Sequence, residues 1–202
     1  MGKRHLEAAI AKHSGAITIE VDWQPFFLNR NTPAEGEDMM EHLTHKYGSA
    51  AVAQFSAPDN PLDRAASKVG ITFNKSRRIV RTADSHRLVE WCKATKPESE
   101  DVLMETLFKA YFEDAADLST HGALVACAAG SGLDATAAEA MLKSDEYVGL
   151  VDSKASSWSR QGVSGVPFFV IHPHSGEGQP VAFSGAQPTE LIAQVLSEQA
   201  EA

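Results

Sequence analysis

The sequence predicts an α/β protein in which a small unit of helix, strand, hairpin and helix is interrupted by a long all-helical insertion. Three observations carry that expectation. Ile17, Ile19, Val21 and Trp23 alternate with Thr18, Glu20 and Asp22, the period-two pattern of a half-buried strand. From Glu37 to about Arg160 the apolar spacing is helical almost throughout, broken by punctuation rather than by strand-like runs. Near the end, the apolar run Phe168 to Ile171, the turn-rich stretch Pro173 to Pro180 and the run Val181 to Phe183 read as a β-hairpin.

The elements follow in order. Lys3 to Lys12 sets Leu6, Ala9 and Ile10 at helical spacing, so the sequence opens inside a helix with no capping segment before it. The strand 16–23 comes next, and Pro25 to Gly36, with two prolines, is an irregular loop. Met39, Met40, Leu43 and Tyr47 share one helix, and Asn60 with Pro61 supplies an N-cap and first-turn proline for a helix ending at Gly70. Ile71 to Phe73 reads as a brief extended piece. Helices follow over Asp84 to Ala94 and Ser99 to Asp114, the second with Leu103, Leu107, Ala110 and Tyr111 on one face. Thr120 to Ala129 is closed by Gly130 and Gly132, Asp134 to Lys143 comes after it, and Ser144 caps a helix from Asp145 to Arg160. Pro188 opens a last helix whose apolar face is Leu191, Ile192, Val195 and Leu196. The domains expected from this order are a discontinuous one, residues 1–36 and 162–202, around a helical insertion, residues 37–161.

The 202 residues are 43% hydrophobic and 22% charged, an ordinary globular composition. A formal net charge of -9 argues against a nucleic-acid or anionic-membrane surface and points to proteins or small molecules as partners. No apolar run approaches the ~18 residues that span a bilayer, and no apolar core follows the first basic residues, so a cytoplasmic protein is expected. Leu6 stands where a myristoylation signal needs Ser or Thr.

The two cysteines, Cys92 and Cys127, lie 35 positions apart on apolar helix faces and read as core residues, and no Cys-x-x-Cys exists anywhere. Of the eight histidines, His42 and His45 are spaced i, i+3, but no further ligand has a recognisable partner spacing, so no metal is expected. His172 and His174 fall at the hairpin turn. The acidic clusters Glu35 to Asp38, Glu98 to Asp101 and Glu113 to Asp117 read as solvated faces and helix-end charges. Dinucleotide, Walker and nucleophile-elbow motifs are absent, and no cofactor is expected.

Several blocks in register resemble one family over nearly the whole sequence. They are Gly2 to Glu7, Trp23 to Asn29, Pro33 to Glu37, Thr82 to Leu88, Leu107 to Phe112, Gly162 to Ile171 and Ser184 to Pro188. The resemblance is to the DsbA-like thioredoxin-fold oxidoreductases, closest to the FrnE-type branch. In such proteins a first strand and a Cys-Pro-Trp-Cys-like motif come directly before the Gly-Lys-Arg that opens the first helix. Met1 stands where that motif should have ended, so the resemblance implies a start codon upstream. It also implies a sheet lacking its central strand, to be repaired by direct pairing of the remaining strands or by a strand from a second copy, hence a tendency to dimerise.

The same resemblance makes Pro167 the family's cis-proline, with the Val166 backbone holding an extended peptide or thiol ligand. Gly165 and His86 join them as expected substrate-binding residues, although His86 on its own reads first as structural. No catalytic residue is assigned. The implied function is a thiol-disulfide oxidoreductase scaffold, inactive as it stands, acting on a protein or a low-molecular-weight thiol or disulfide. Two other readings are a glutathione-dependent transferase or isomerase of the kappa-like class and a non-catalytic peptide-binding paralogue. The kappa-like enzymes tend to carry an acidic-basic pair after the hairpin glycine, where this sequence has Gly185 followed by Ala186 and Gln187.

Overall fold

A computed structural model describes residues 1–13, 15–173, 176 and 178–201. His174, one of the two histidines expected at the hairpin turn, lies outside the described residues. The elements in chain order are α1 (Gly2–Lys12), β1 (Glu37–Asp38), α2 (Met39–Tyr47), α3 (Ser49–Ser56), α4 (Pro61–Ser67), β2 (Arg78–Ile79), α5 (Ala83–Thr95), α6 (Glu100–Phe112), α7 (His121–Gly130), α8 (Ala135–Lys143), α9 (Val148–Arg160), β3 (Phe168–Ile171), β4 (Val181–Ser184) and α10 (Thr189–Glu201). This is the mostly helical α/β arrangement that the periodicity predicts. The described residues divide into two compact units, Met1–Asp22 with Ser159–Ala202, and Trp23–Trp158.

In the first unit α1 packs on α10. Ala9, Ile192, Ala193 and Leu196 are buried there, and Leu6, Ile10, Ile17, Ile19, Ile171 and Phe183 close around them. His5 of α1 and His13, just past its end, tie the pair together: His5 Nδ1 lies 2.8 Å from the Gln187 carbonyl and His13 Nε2 2.9 Å from that of Ala193. Strands β3 and β4 pair antiparallel, with Phe168 opposite Ser184 and Ile171 opposite Val181, and form a two-stranded sheet among the described residues.

Residues 16–22 differ from expectation in an instructive way. Their burial alternates as a strand's does, with Ile17, Ile19 and Val21 turned inward, yet they form no ladder. Alternation records which face is buried, whereas a strand also needs a neighbour to bond, and none is present among the described residues. Among the described residues no strand pairs with the second edge of β3 either.

The second unit is a helical bundle whose core joins Leu88, Val89, Trp91 and Cys92 of α5, Leu103 and Leu107 of α6, Leu124 and Cys127 of α7, and Met141 and Leu142 of α8. Its helices begin where capping chemistry places them. Asn60 accepts from the Leu62 and Asp63 N–H groups ahead of Pro61, Thr120 from Ala123, and Asp134 from Ala137. One short ladder interrupts it, Glu37 opposite Ile79 and Asp38 opposite Arg78, a pairing too brief to show a period in sequence. Ile71 to Phe73 is not a strand. The helix expected from Asp145 begins instead at Val148, because Tyr147 adopts φ 63° and breaks the turn; Ser144 Oγ accepts from the Glu146 N–H at 3.1 Å ahead of it.

Candidate functional site

In the first unit the start of α1 meets the start of β3. The Val166–Pro167 peptide bond is cis, and the Pro167 carbonyl accepts from the Gly185 N–H at 2.8 Å, which fixes the turn against the end of β4. Gly2 is the close-approach position: a Cβ there would fall 2.8 Å from Pro167 Cγ and 3.2 Å from its Cβ, so only glycine lets the first helical turn close on the proline ring. Beneath the turn Phe169 and Phe183 stack at 5.1 Å. Val166 is 53% exposed, and a side chain at Gly165 would meet nothing within 4 Å. The result is an exposed apolar residue, Val166, beside a helix N-terminus.

The charge at that N-terminus is positive. The first turn of α1 holds Lys3 and Arg4 and no acid, the reverse of what the helix dipole prefers. Both cations share Glu7; Lys3 bonds one carboxylate oxygen and Arg4 Nη1 lies 3.0 Å from the other. Burial works to raise the Glu7 carboxyl, but these two hydrogen bonds outweigh it and hold it below the usual range.

Neither cysteine takes part. Cys92 is fully buried and donates weakly to the Lys96 carbonyl at 3.5 Å; burial, with Glu100 and Glu98 nearby, pushes its thiol up to about 11. Cys127 is buried too, and its thiol is raised by that burial. A low-reactivity thiol is the expected result in both cases.

Of the four residues singled out in the sequence, Gly165, Val166 and Pro167 make up the turn, while His86 belongs to the second unit. His86 Nε2 bonds the Phe26 carbonyl at 3.2 Å and its ring meets Phe27 edge-on at 5.6 Å. Burial lowers its imidazole, with the Phe26 bond and Glu90 opposing, so the ring is neutral and Nε2 carries the proton. His86 also lines a small, partly open cavity of about 40 Å³ with Trp23, Gln24, Pro25, Val89, Glu90 and Met104.

The walls of that cavity are held by a buried ionic network. Glu90 takes Lys154 on its two oxygens at 2.9 and 2.7 Å, Lys93 lies 3.4 Å from Glu100 and donates to the Trp23 carbonyl, and Glu100 accepts from the Trp23 N–H at 3.0 Å. Neither the cavity nor this network was visible in the sequence, since its residues are drawn from positions 23 to 154 with no common motif.

His42 bonds Glu37 at 2.9 Å rather than pairing with His45, and no three His, Cys, Asp or Glu among the described residues are placed to hold a metal. None of the described helices is long and apolar enough to cross a membrane.

The model of the DSBA-like thioredoxin domain family matches residues 1–197. No curated protein sequence matches the chain. Among solved structures, a probable DsbA oxidoreductase from Streptomyces coelicolor is similar at 28% identity and TM-score 0.81, covering 98% of this chain and 82% of that one. A candidate protein disulfide isomerase from Nitrosomonas europaea is similar in fold alone, at 16% identity and TM-score 0.65, covering 99% and 90%.

Proposed function

Because the chain belongs to the DSBA-like thioredoxin domain family, we propose that it is a thiol-disulfide oxidoreductase scaffold of the FrnE type that docks extended polypeptide at the Val166–Pro167 turn. In these 202 residues it has no thiolate competent for exchange. The observation that carries this reading is the pairing of an exposed Val166, beside Pro167 and the N-terminus of α1, with two cysteines that are both buried and both raised in pKa. An extended chain bonds well to an open backbone edge because its own backbone alternates donors and acceptors. The domain division that goes with this function is 1–36 with 162–202 for docking and 37–161 as the helical insertion. Free cysteines, both buried, favour a cytoplasmic location.

The second edge of β3, which has no partner strand among the described residues, favours a second reading, in which the same unit binds a partner strand or a second copy without catalysis. One experiment addresses both. Hydrogen exchange of the chain is followed with and without S-carboxymethylated insulin B chain, over a range of protein concentrations. The docking reading expects ligand-dependent protection around Val166 to Phe169, weakened at least about tenfold in affinity by Val166→Asp, an exposed position whose substitution leaves the fold intact. Equal binding by Val166→Asp and the parent would refute it. Protection of β3 that grows with protein concentration alone would favour self-association instead.

A further inference from the structure

The chain passes between the two units twice, from Asp22 to Trp23 and from Trp158 to Ser159. Both passages are tied to one set of charged side chains in the helical unit. At the first, the Trp23 N–H donates to Glu100 Oε1 at 3.0 Å and the Trp23 carbonyl accepts from Lys93. At the second, Lys154, one turn before Trp158 on α9, gives its ammonium to both Glu90 oxygens at 2.9 and 2.7 Å. Lys93 stands between them, 3.4 Å from Glu100 and 3.8 Å from Glu90. Charge therefore alternates along a relay of Lys154, Glu90, Lys93 and Glu100, drawn from α9, α5 and α6.

We propose that this relay is a clamp coupling the two passages, in which Lys93 is a cation shared by two carboxylates and Lys154 is the positioning residue that assigns it to Glu100. The Glu90 side chain is 5% exposed, so water does not replace a cation lost from it. While Lys154 satisfies Glu90, Lys93 serves Glu100 and the Trp23 carbonyl. Once Lys154 is removed, Lys93 is the only other cation paired with Glu90 among the described residues. A move of Lys93 toward Glu90 takes its ammonium from the Trp23 carbonyl and weakens its pairing with Glu100. A charge lost beside the second passage is thereby felt at the first. The clamp sets how firmly the chain is held where it leaves the helical unit, and it is independent of whether polypeptide docks at Val166.

The test follows backbone amide exchange of the ¹⁵N-labelled 202-residue chain by NMR, with the fully buried Leu103 and Leu124 of the bundle core as reference. Lys154→Met keeps the stem of a side chain that is 31% exposed and removes only its charge. It is expected to speed exchange of the Trp23 N–H at least about tenfold beyond any change at the reference amides. Adding Glu90→Gln removes the charge that recruits Lys93. The double variant Glu90→Gln/Lys154→Met should therefore return the Trp23 amide to within about threefold of the parent. If Lys154→Met does not fold, Glu90→Gln alone decides: Lys93 then serves Glu100 only, so the Trp23 amide should exchange no faster than in the parent, and faster exchange would refute the coupling. A Trp23 amide unchanged in Lys154→Met, or as fast in the double variant as in the single one, would overturn the proposal and leave two unconnected ion pairs.

Discussion

Arg87→Ala is expected to destabilise the second unit by about 3–5 kcal/mol, the range for stripping one partner from a buried charged network. Arg87 is 5% exposed, and all three of its nitrogens are used. Nε donates to the Glu146 carbonyl at 2.8 Å, Nη1 to Asp84 at 2.7 Å, and Nη2 to the Met141 and Ser144 carbonyls at 2.9 and 2.6 Å. The Met141 carbonyl also accepts from the Ser144 N–H and hydroxyl, and Ser144 and Glu146 follow the end of α8, so a side chain of α5 ties down the last turn of α8 and the segment just after it, more than fifty positions away. Removal takes a donor from the Met141, Ser144 and Glu146 carbonyls and the guanidinium from Asp84 together. For a chain of this length the loss corresponds to a fall of roughly 10 °C in melting temperature. Arg87→Lys should recover little, because an ammonium cannot reproduce the planar fork. Thermal and urea unfolding followed by far-ultraviolet circular dichroism measures both. A shift under about 2 °C for Arg87→Ala would show that the carbonyls find other partners.

The second large effect is the inertness of the thiols. With its thiol at about 11, Cys92 is ionised about a hundredfold less at neutral pH than with the ordinary value of 9.0. Iodoacetamide should therefore label neither Cys92 nor Cys127 in the native chain over hours, and both rapidly in urea. The same shift has a consequence for stability. A thiol whose folded pKa is raised favours the folded state while it stays protonated. Its contribution is present below pH 9, falls between about 9 and 11, and amounts to at most about 2–3 kcal/mol. Urea midpoints at about pH 8 and pH 10.5 should differ for the parent and differ less for Cys92→Ala. Rapid native labelling of either cysteine would contradict the burial that underlies both expectations.

Legibility in the sequence followed the range of the interaction responsible. Caps act over two or three residues, which is why Asn60 marked the start of α4, whereas Ser144, read the same way, precedes a helix that starts only at Val148. The alternation from Ile17 to Val21 correctly marked the inward face, but the ladder that would make it a strand depends on a neighbour that no local pattern reports. Arg87 sits in the family-like block Thr82 to Leu88, yet its role comes from carbonyls more than fifty positions away and has no local signature. The cis bond at Val166–Pro167 was implied by the family resemblance, not by composition or spacing, which favour an ordinary trans proline. The cavity was not implied at all, since Trp23 and His86 are brought together only by the packing of the bundle.

The central claim, a docking scaffold without a competent thiolate, is tested most directly by a disulfide-reduction assay on the 202-residue chain, with insulin as substrate and dithiothreitol as electron donor. The rate expected is that of dithiothreitol alone, unchanged by Cys92→Ala or Cys127→Ala. Turnover above that background, lost on replacing either cysteine, would contradict the account.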